Sequence, residues 1–183
     1  ADWDQGRVLL HFGAVDQTAD VYVNDFKCGH HEGGYEAFSV DITWEAKNTP
    51  VGCYMVLEVC CKDDLDDQRF PYGKQVKPEK RGGMWYTPVS GIWQTVWLES
   101  VPESYIENLD IRVDLTKAVI TTTPALDGKV LCEGKEYPLA IGKAVITPDS
   151  PLLWSPEDPY LYEFTVETDT DCVESYFALR WIE

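Results

Sequence analysis

"RVLLHFGAVDQTADVYVNDFKCG", residues 7–29, alternates apolar and polar positions on both sides of one turn signal. Val8, Leu10, Phe12 and Ala14 fall on one face of an extended chain, with Leu9 and His11 on the other. Val21 and Val23 then point one way, and Asn24-Asp25 follows. Both residues tolerate positive φ, which is what a tight hairpin requires. A helix would need apolar recurrence every three to four residues, and the stretch has none. It reads as antiparallel strands.

The same period extends outward. "AFSVDIT" sets Phe38, Val40 and Ile42 against Ser39 and Asp41. "VGCYMVLEVCC" is more continuously apolar, which predicts a central strand covered on both faces. "KDDLDDQRFPYGKQVKPEKRGG" follows, a charged loop longer than most connections and hence a candidate for function. In "IWQTVWLE", Ile92, Val96 and Leu98 share a face with Gln94, and Trp93 and Trp97 take the other. "SVPESY" is a linker. "NLDIRVDL" predicts Leu109, Ile111, Val113 and Leu115 inside. "KAVIT" occurs at 117–121 and again at 143–147, too short to be a repeat unit, and Tyr160, Tyr162, Phe164 and Val166 line one face of a later strand. No segment holds a helical period over a dozen residues. The prediction is an all-β chain of two sandwiches, residues 1–102 and a smaller 103–183.

Composition excludes some partners. The 183 residues carry 32 acids against 15 bases, a formal net charge of -17. Nucleic acid and anionic membrane both repel such a surface, whereas neutral ligands do not. No apolar run approaches a membrane span. "ADWDQGRVLL" has no basic flank before an apolar stretch, so no signal peptide is visible, and it lacks an initiator Met. The six cysteines, Cys28, Cys53, Cys60, Cys61, Cys132 and Cys172, form no C-x-x-C pair and no zinc spacing. They are expected to be mostly buried, reduced thiols, which points to the cytoplasm, although six is also a number that a secreted protein can pair. Cys60 and Cys61 should face opposite sides of their strand.

Five stretches then resemble a known family. "RVLLHFGAVDQTADVYVND", "GHHEGGYEAFSVDIT", "YGKQ" and "MWYTPVSGIWQTVWLESVPESYIENLDI" look like the jelly-roll sugar-binding domain of glycoside hydrolase family 2. "LLWSPEDPYLYEFTVE" with "DCVESYFALRWIE" looks like its immunoglobulin-like domain. The family includes β-galactosidases, β-glucuronidases and β-mannosidases. The resemblance implies a jelly-roll (galactose-binding-like) sandwich followed by a short immunoglobulin-like one. It also implies that the catalytic glutamates belong to a TIM barrel after the position of Glu183. A barrel needs roughly 250 residues, so the expectation is a non-catalytic portion of such an enzyme, with a jelly roll lacking its first strands.

No catalytic residue is assigned, because no pair of carboxylates stands out among so many acids. No cofactor or metal is expected: His30 and His31 are neighbours that diverge on a strand, and Asp63, Asp64, Asp66 and Asp67 lack the order of a calcium loop. Sugar contact is assigned to the loop, through Arg69, Tyr72, Lys74, Gln75, Trp85 and Tyr86. The acidic or amide residue that several family members place before the "MW" position is replaced here by Gly83. Trp93 and Trp97 are assigned to packing against another domain or partner, with a plain core and sugar stacking as alternatives. The expected partners are a neutral carbohydrate, the catalytic barrel and a second copy of the chain. Rival functions are a free-standing carbohydrate-binding module and a protein–protein interaction module.

Overall fold

The computed structural model describes residues 6–71 and 73–181. The chain divides into two units, Ala1–Val101 and Pro102–Glu183. It is an all-β chain, a jelly-roll sandwich followed by an immunoglobulin-like one. No helix among the described residues is long and apolar enough to cross a membrane.

In the first unit the alternation at 7–29 becomes β1 (Arg7–Phe12), β2 (Val15–Asp16), β3 (Thr18–Val23) and β4 (Phe26–Glu32). Asn24 and Asp25 take φ 48 and 68°, the twisted turn that matches the strands. β5 (Phe38–Asp41), α1 (Thr43–Asn48), β6 (Leu57–Lys62), β7 (Gly91–Ile92) and β8 (Val96–Val101) follow. The two main sheets run β5-β1-β8 and β4-β3-β6, and β2 pairs with β7. Val8, Leu10 and Phe12 of one sheet share a core with Ala19, Val21 and Val23 of the other. Each such valine, leucine or phenylalanine contributes about 1.5–3 kcal/mol on burial, so this alternation accounts for the main force holding the sandwich.

The structure corrects several expectations. β6 is an end strand, not a central one, and Val51, Tyr54, Val56 and Leu57 are exposed. Its apolar run signalled cover that the rest of the unit does not supply. Of the cysteines, Cys53, Cys60, Cys61 and Cys172 are exposed and only Cys132 is fully buried, although all six are free thiols. The strand expected through 92–99 is broken at Trp93–Thr95: β7 turns to β2, and β8 turns to β1. The helix α1 was not anticipated, since six residues are too few to show a period. Its start is held by the Asp41 carboxylate, which accepts from the Thr43 N–H at 2.9 Å.

The second unit comprises β9 (Asn108–Val113), β10 (Ala118–Thr123), β11 (Gly128–Cys132), β12 (Lys135–Leu139), β13 (Lys143–Ile146), β14 (Tyr162–Thr168) and β15 (Cys172–Phe177). One sheet runs β13-β10-β9 and the other β12-β11-β14-β15. The two "KAVI" segments are antiparallel partners, Ala118 opposite Ile146 and Ile120 opposite Ala144. Ile120, Val130, Ile146, Tyr162, Phe164 and Val166 fill the core. Leu109 and Ile111 pack against it, but Val113, in the last pair of the β9–β10 ladder opposite Ala118, and Leu115, beyond the strand, are exposed.

Candidate functional site

Two concave features of the first unit bear on function. The smaller is a pocket of about 270 Å³ lined by Asp16, Gly34, Tyr35, Gln75 and Trp93 with the 89–92 segment. β2 and β7 form its base, with Asp16 opposite Gly91 in register. Gly34 and Tyr35 come from the turn after β4. Gln75 arrives from the long loop and clamps it down: its Nε2 donates to Asp16 Oδ2 at 3.3 Å, and its Oε1 accepts from the Val89 N–H. The loop is ordered at the same point, since Tyr86 N–H donates to Lys74 O at 2.8 Å and Val76 N–H to Tyr86 O at 3.1 Å.

Two aromatic rings line the same pocket. Tyr35 and Trp93 meet edge to face, with centroids 5.8 Å apart and planes at 73°. Trp93 Nε1 donates to the Gly34 carbonyl at 2.7 Å, which fixes the indole. The lack of a side chain at Gly34 also lets Asp16 come close: a Cβ there would lie 2.5 Å from Asp16 Oδ1. Tyr35 is 58% and Trp93 49% exposed, so both keep free ring surface. A hydrogen-bonding carboxylate and amide and two aromatic rings line one space of about 270 Å³, below the roughly 300–1,000 Å³ of a drug-sized site. That arrangement suits one polyhydroxylated ring. It does not suit glycoside hydrolysis, which needs two carboxyls about 5–9.5 Å apart, because Asp16 is the single carboxylate lining it.

Of the residues assigned from sequence, Gln75 and Trp93 line this pocket. Arg69 does not; its guanidinium is paired with Asp67, Nη2 to Oδ2 at 2.7 Å, which holds the Asp67 carboxyl down at about 2. Tyr72 lies outside the described residues. Lys74, Trp85 and Tyr86 are exposed on the loop and absent from the lining. Asp16 and Tyr35 were missed. The signal for Tyr35 was the preceding Gly33-Gly34 pair, a place where backbone approaches another group closely.

His30 and His31 diverge, as neighbours on a strand do. His30 sits between Asp20 (2.7 Å) and Glu32 (3.5 Å), which raise its pKa, Asp20 more than Glu32. His31 stacks on Phe38 at 4.1 Å. In the acidic loop, burial first and then Asp16 and Asp64 push the Asp63 carboxyl up. Among the described residues no group of three His, Cys, Asp or Glu side chains is placed to hold a metal ion.

The larger feature is an apolar groove of about 410 Å³. Its floor is core: Leu10, Val23 and Ile42, all under 4% exposed. Its rims are Met55 and Leu57 beside one sheet and Val96, Trp97 and Leu98 beside the other. β6 and β8 each end their sheet on this side, so two strand edges flank one apolar channel. Trp97 is 45% exposed and stacks on His11 at 4.9 Å. Trp93 and Trp97 thus belong to different features, one to the pocket and one to the groove.

Comparison with known proteins agrees with this architecture. The model for "Glycosyl hydrolases family 2" matches residues 102–180. A β-galactosidase of Thermoanaerobacter pseudethanolicus is 28% identical over 195 residues, covering 93% of this chain and 25% of that protein. A putative β-glucuronidase of Formosa agariphila is 28% identical over 205 residues, covering 95% and 23%. A Ruminococcus gnavus β-glucuronidase solved with D-glucuronic acid shares the fold, with a TM-score of 0.71, 19% identity and coverage of 100% of this chain and 35% of that one. The chain spans about a quarter of the length of the Thermoanaerobacter and Formosa proteins. Residues 102–180 thus match the family 2 model, and nearly the whole chain is similar to part of longer β-galactosidases and β-glucuronidases.

Proposed function

We propose that this chain is the non-catalytic β-sandwich portion of a longer family 2 enzyme acting on β-linked glycosides. It has two modules, 1–102 and 103–183, scaffolds the catalytic barrel, and presents the Asp16–Trp93 pocket to the sugar. The observation that carries this is the groove: fully buried core residues form the floor of an open apolar channel between two strand edges. Exposed apolar area of that kind marks a surface meant to be covered. Trp97 and Leu98, each nearly half exposed, belong to that surface. The quarter-length match to relatives fits a portion of a larger polypeptide. Six free thiols fit a reducing compartment, and we place the protein in the cytoplasm.

Sequencing the coding DNA on both sides of these codons, and assaying the chain and any longer product on chromogenic β-galactosides and β-glucuronides, tests the reading. Barrel sequence in frame, with turnover by the longer product alone, is expected. Turnover by residues 1–183 that vanishes on substituting one of their own carboxylates refutes it. The pocket favours a second reading, a free-standing carbohydrate-binding module, which in-frame stop codons on the 3′ side would select.

A further inference from the structure

We infer that the Asp16–Gln75–Tyr35–Trp93 pocket is a subsite for a neutral pyranose and discriminates against uronates. The inference rests on the proposed sugar-facing role of the pocket and names its ligand class. The pocket's relatives in fold include a β-glucuronidase solved with D-glucuronic acid, but at 19% identity that likeness carries the fold and not the ligand.

The chemistry comes from the polar and aromatic lining residues. Asp16 and Gln75 already hold each other, which leaves the carboxylate with further lone pairs and the amide with a second N–H. A carboxylate accepts from hydroxyl O–H groups and repels another carboxylate. An amide both accepts and donates, and its acceptor is occupied by the Val89 N–H. These two groups therefore match a pair of adjacent ring hydroxyls, one donating to Asp16 and the other accepting from Gln75. Tyr35 and Trp93, in the same lining, offer ring faces to sugar C–H groups.

Charge sets the class. Among the described residues Asp16 is the one acidic side chain of the lining, and no lysine or arginine joins it there. The nearby loop adds Asp63 and Asp64, whose fields overlap with that of Asp16: Asp16 and Asp64 both contribute to holding the Asp63 carboxyl up. Of the two arginines of this loop, Arg69 is paired with Asp67 at 2.7 Å and Arg81 donates to the Thr87 hydroxyl at 3.1 Å, and neither lines the pocket. A uronate entering the pocket meets a like charge with no compensating cation among the described lining residues, and the net charge of -17 disfavours its approach from a distance.

The test uses the chain of 1–183 and three ligands: methyl β-D-galactopyranoside, methyl β-D-glucopyranoside and methyl β-D-glucuronide. The Trp93 indole N–H and the Gln75 side-chain amide are followed by NMR at low salt. A neutral glycoside is expected to shift both signals, with the glucuronide weaker by about tenfold or more, the order of one like-charge contact near a protein surface. Asp16→Asn should narrow that gap, and raising the salt should narrow it in the wild type. Equal or tighter binding of the glucuronide at these two groups overturns the inference and leaves the sugar-facing role standing. If no glycoside shifts either signal, the sugar-facing role itself fails and the inference with it.

Discussion

Gly34→Ala isolates the close approach that builds the pocket. The φ of Gly34 lies outside the left-handed region, so alanine suffers no backbone penalty there. The added Cβ would lie 2.5 Å from Asp16 Oδ1 and 3.1 Å from its Cγ, and Asp16 must rotate away. Rotation off its preferred conformer costs about 0.5–1.5 kcal/mol. It also breaks the Gln75 hydrogen bond. Hydrogen bonds to charged groups contribute about 1.5–3 kcal/mol, and this one, 3.3 Å long and partly exposed, belongs at or below the lower end. The expected loss is about 2 kcal/mol. For a unit of this size that is a fall in Tm of about 8–16 °C, measured on the first transition in calorimetry or urea. Asp16→Ala removes the group that is struck, so Gly34→Ala added to it should cost under about 0.5 kcal/mol, giving a coupling above about 1 kcal/mol. Equal costs in both backgrounds, or a single variant within about 0.3 kcal/mol of wild type with an unmoved Trp93 indole signal, would refute the reasoning.

The open groove makes self-association at moderate salt the expected state of the isolated chain, weakening as salt falls because the net charge of -17 is then less screened. Sedimentation of the wild type and of Leu98→Lys checks it; a monomer at every salt and concentration is the contrary result. His30, paired with Asp20 and Glu32, should titrate above its ordinary 6.5. The stability it lends is fully present below that ordinary value and is lost as pH rises through the raised one, and Asp20→Asn should move the NMR midpoint back down. Phe12→Ala, at a side chain with no exposed area stacked on Phe38, should cost about 3–5 kcal/mol by denaturant unfolding; a loss under about 1 kcal/mol would contradict the core assignment. Gly142→Ala should destabilise the second unit, since φ is +69° and the new Cβ would lie 2.6 Å from Ala125 Cα; unchanged unfolding of that unit is the opposing outcome.

What the sequence by itself determined is whatever repeats with the pleat. Val8, Leu10 and Phe12 against Val21 and Val23 set strand faces and hence the core, because neighbouring side chains on a strand must alternate. Asn24-Asp25 set the hairpin, because few residue pairs accept two positive φ values. The likeness to glycoside hydrolase family 2 was legible in the long ordered motifs that run through both units. Pattern could not say which apolar runs would be covered. "VGCYMVLEVCC" has the composition of a central strand and lies exposed at a sheet end, since cover depends on what lies alongside. Nor could it separate Trp93 from Trp97, because a break between β7 and β8 sends the one to Tyr35 and the other to His11. The pocket itself joins residues 16, 34–35, 75 and 93. No local period links such positions; only the pairing of β2 with β7 and the folding back of the long loop bring a carboxylate, an amide and two rings to one place.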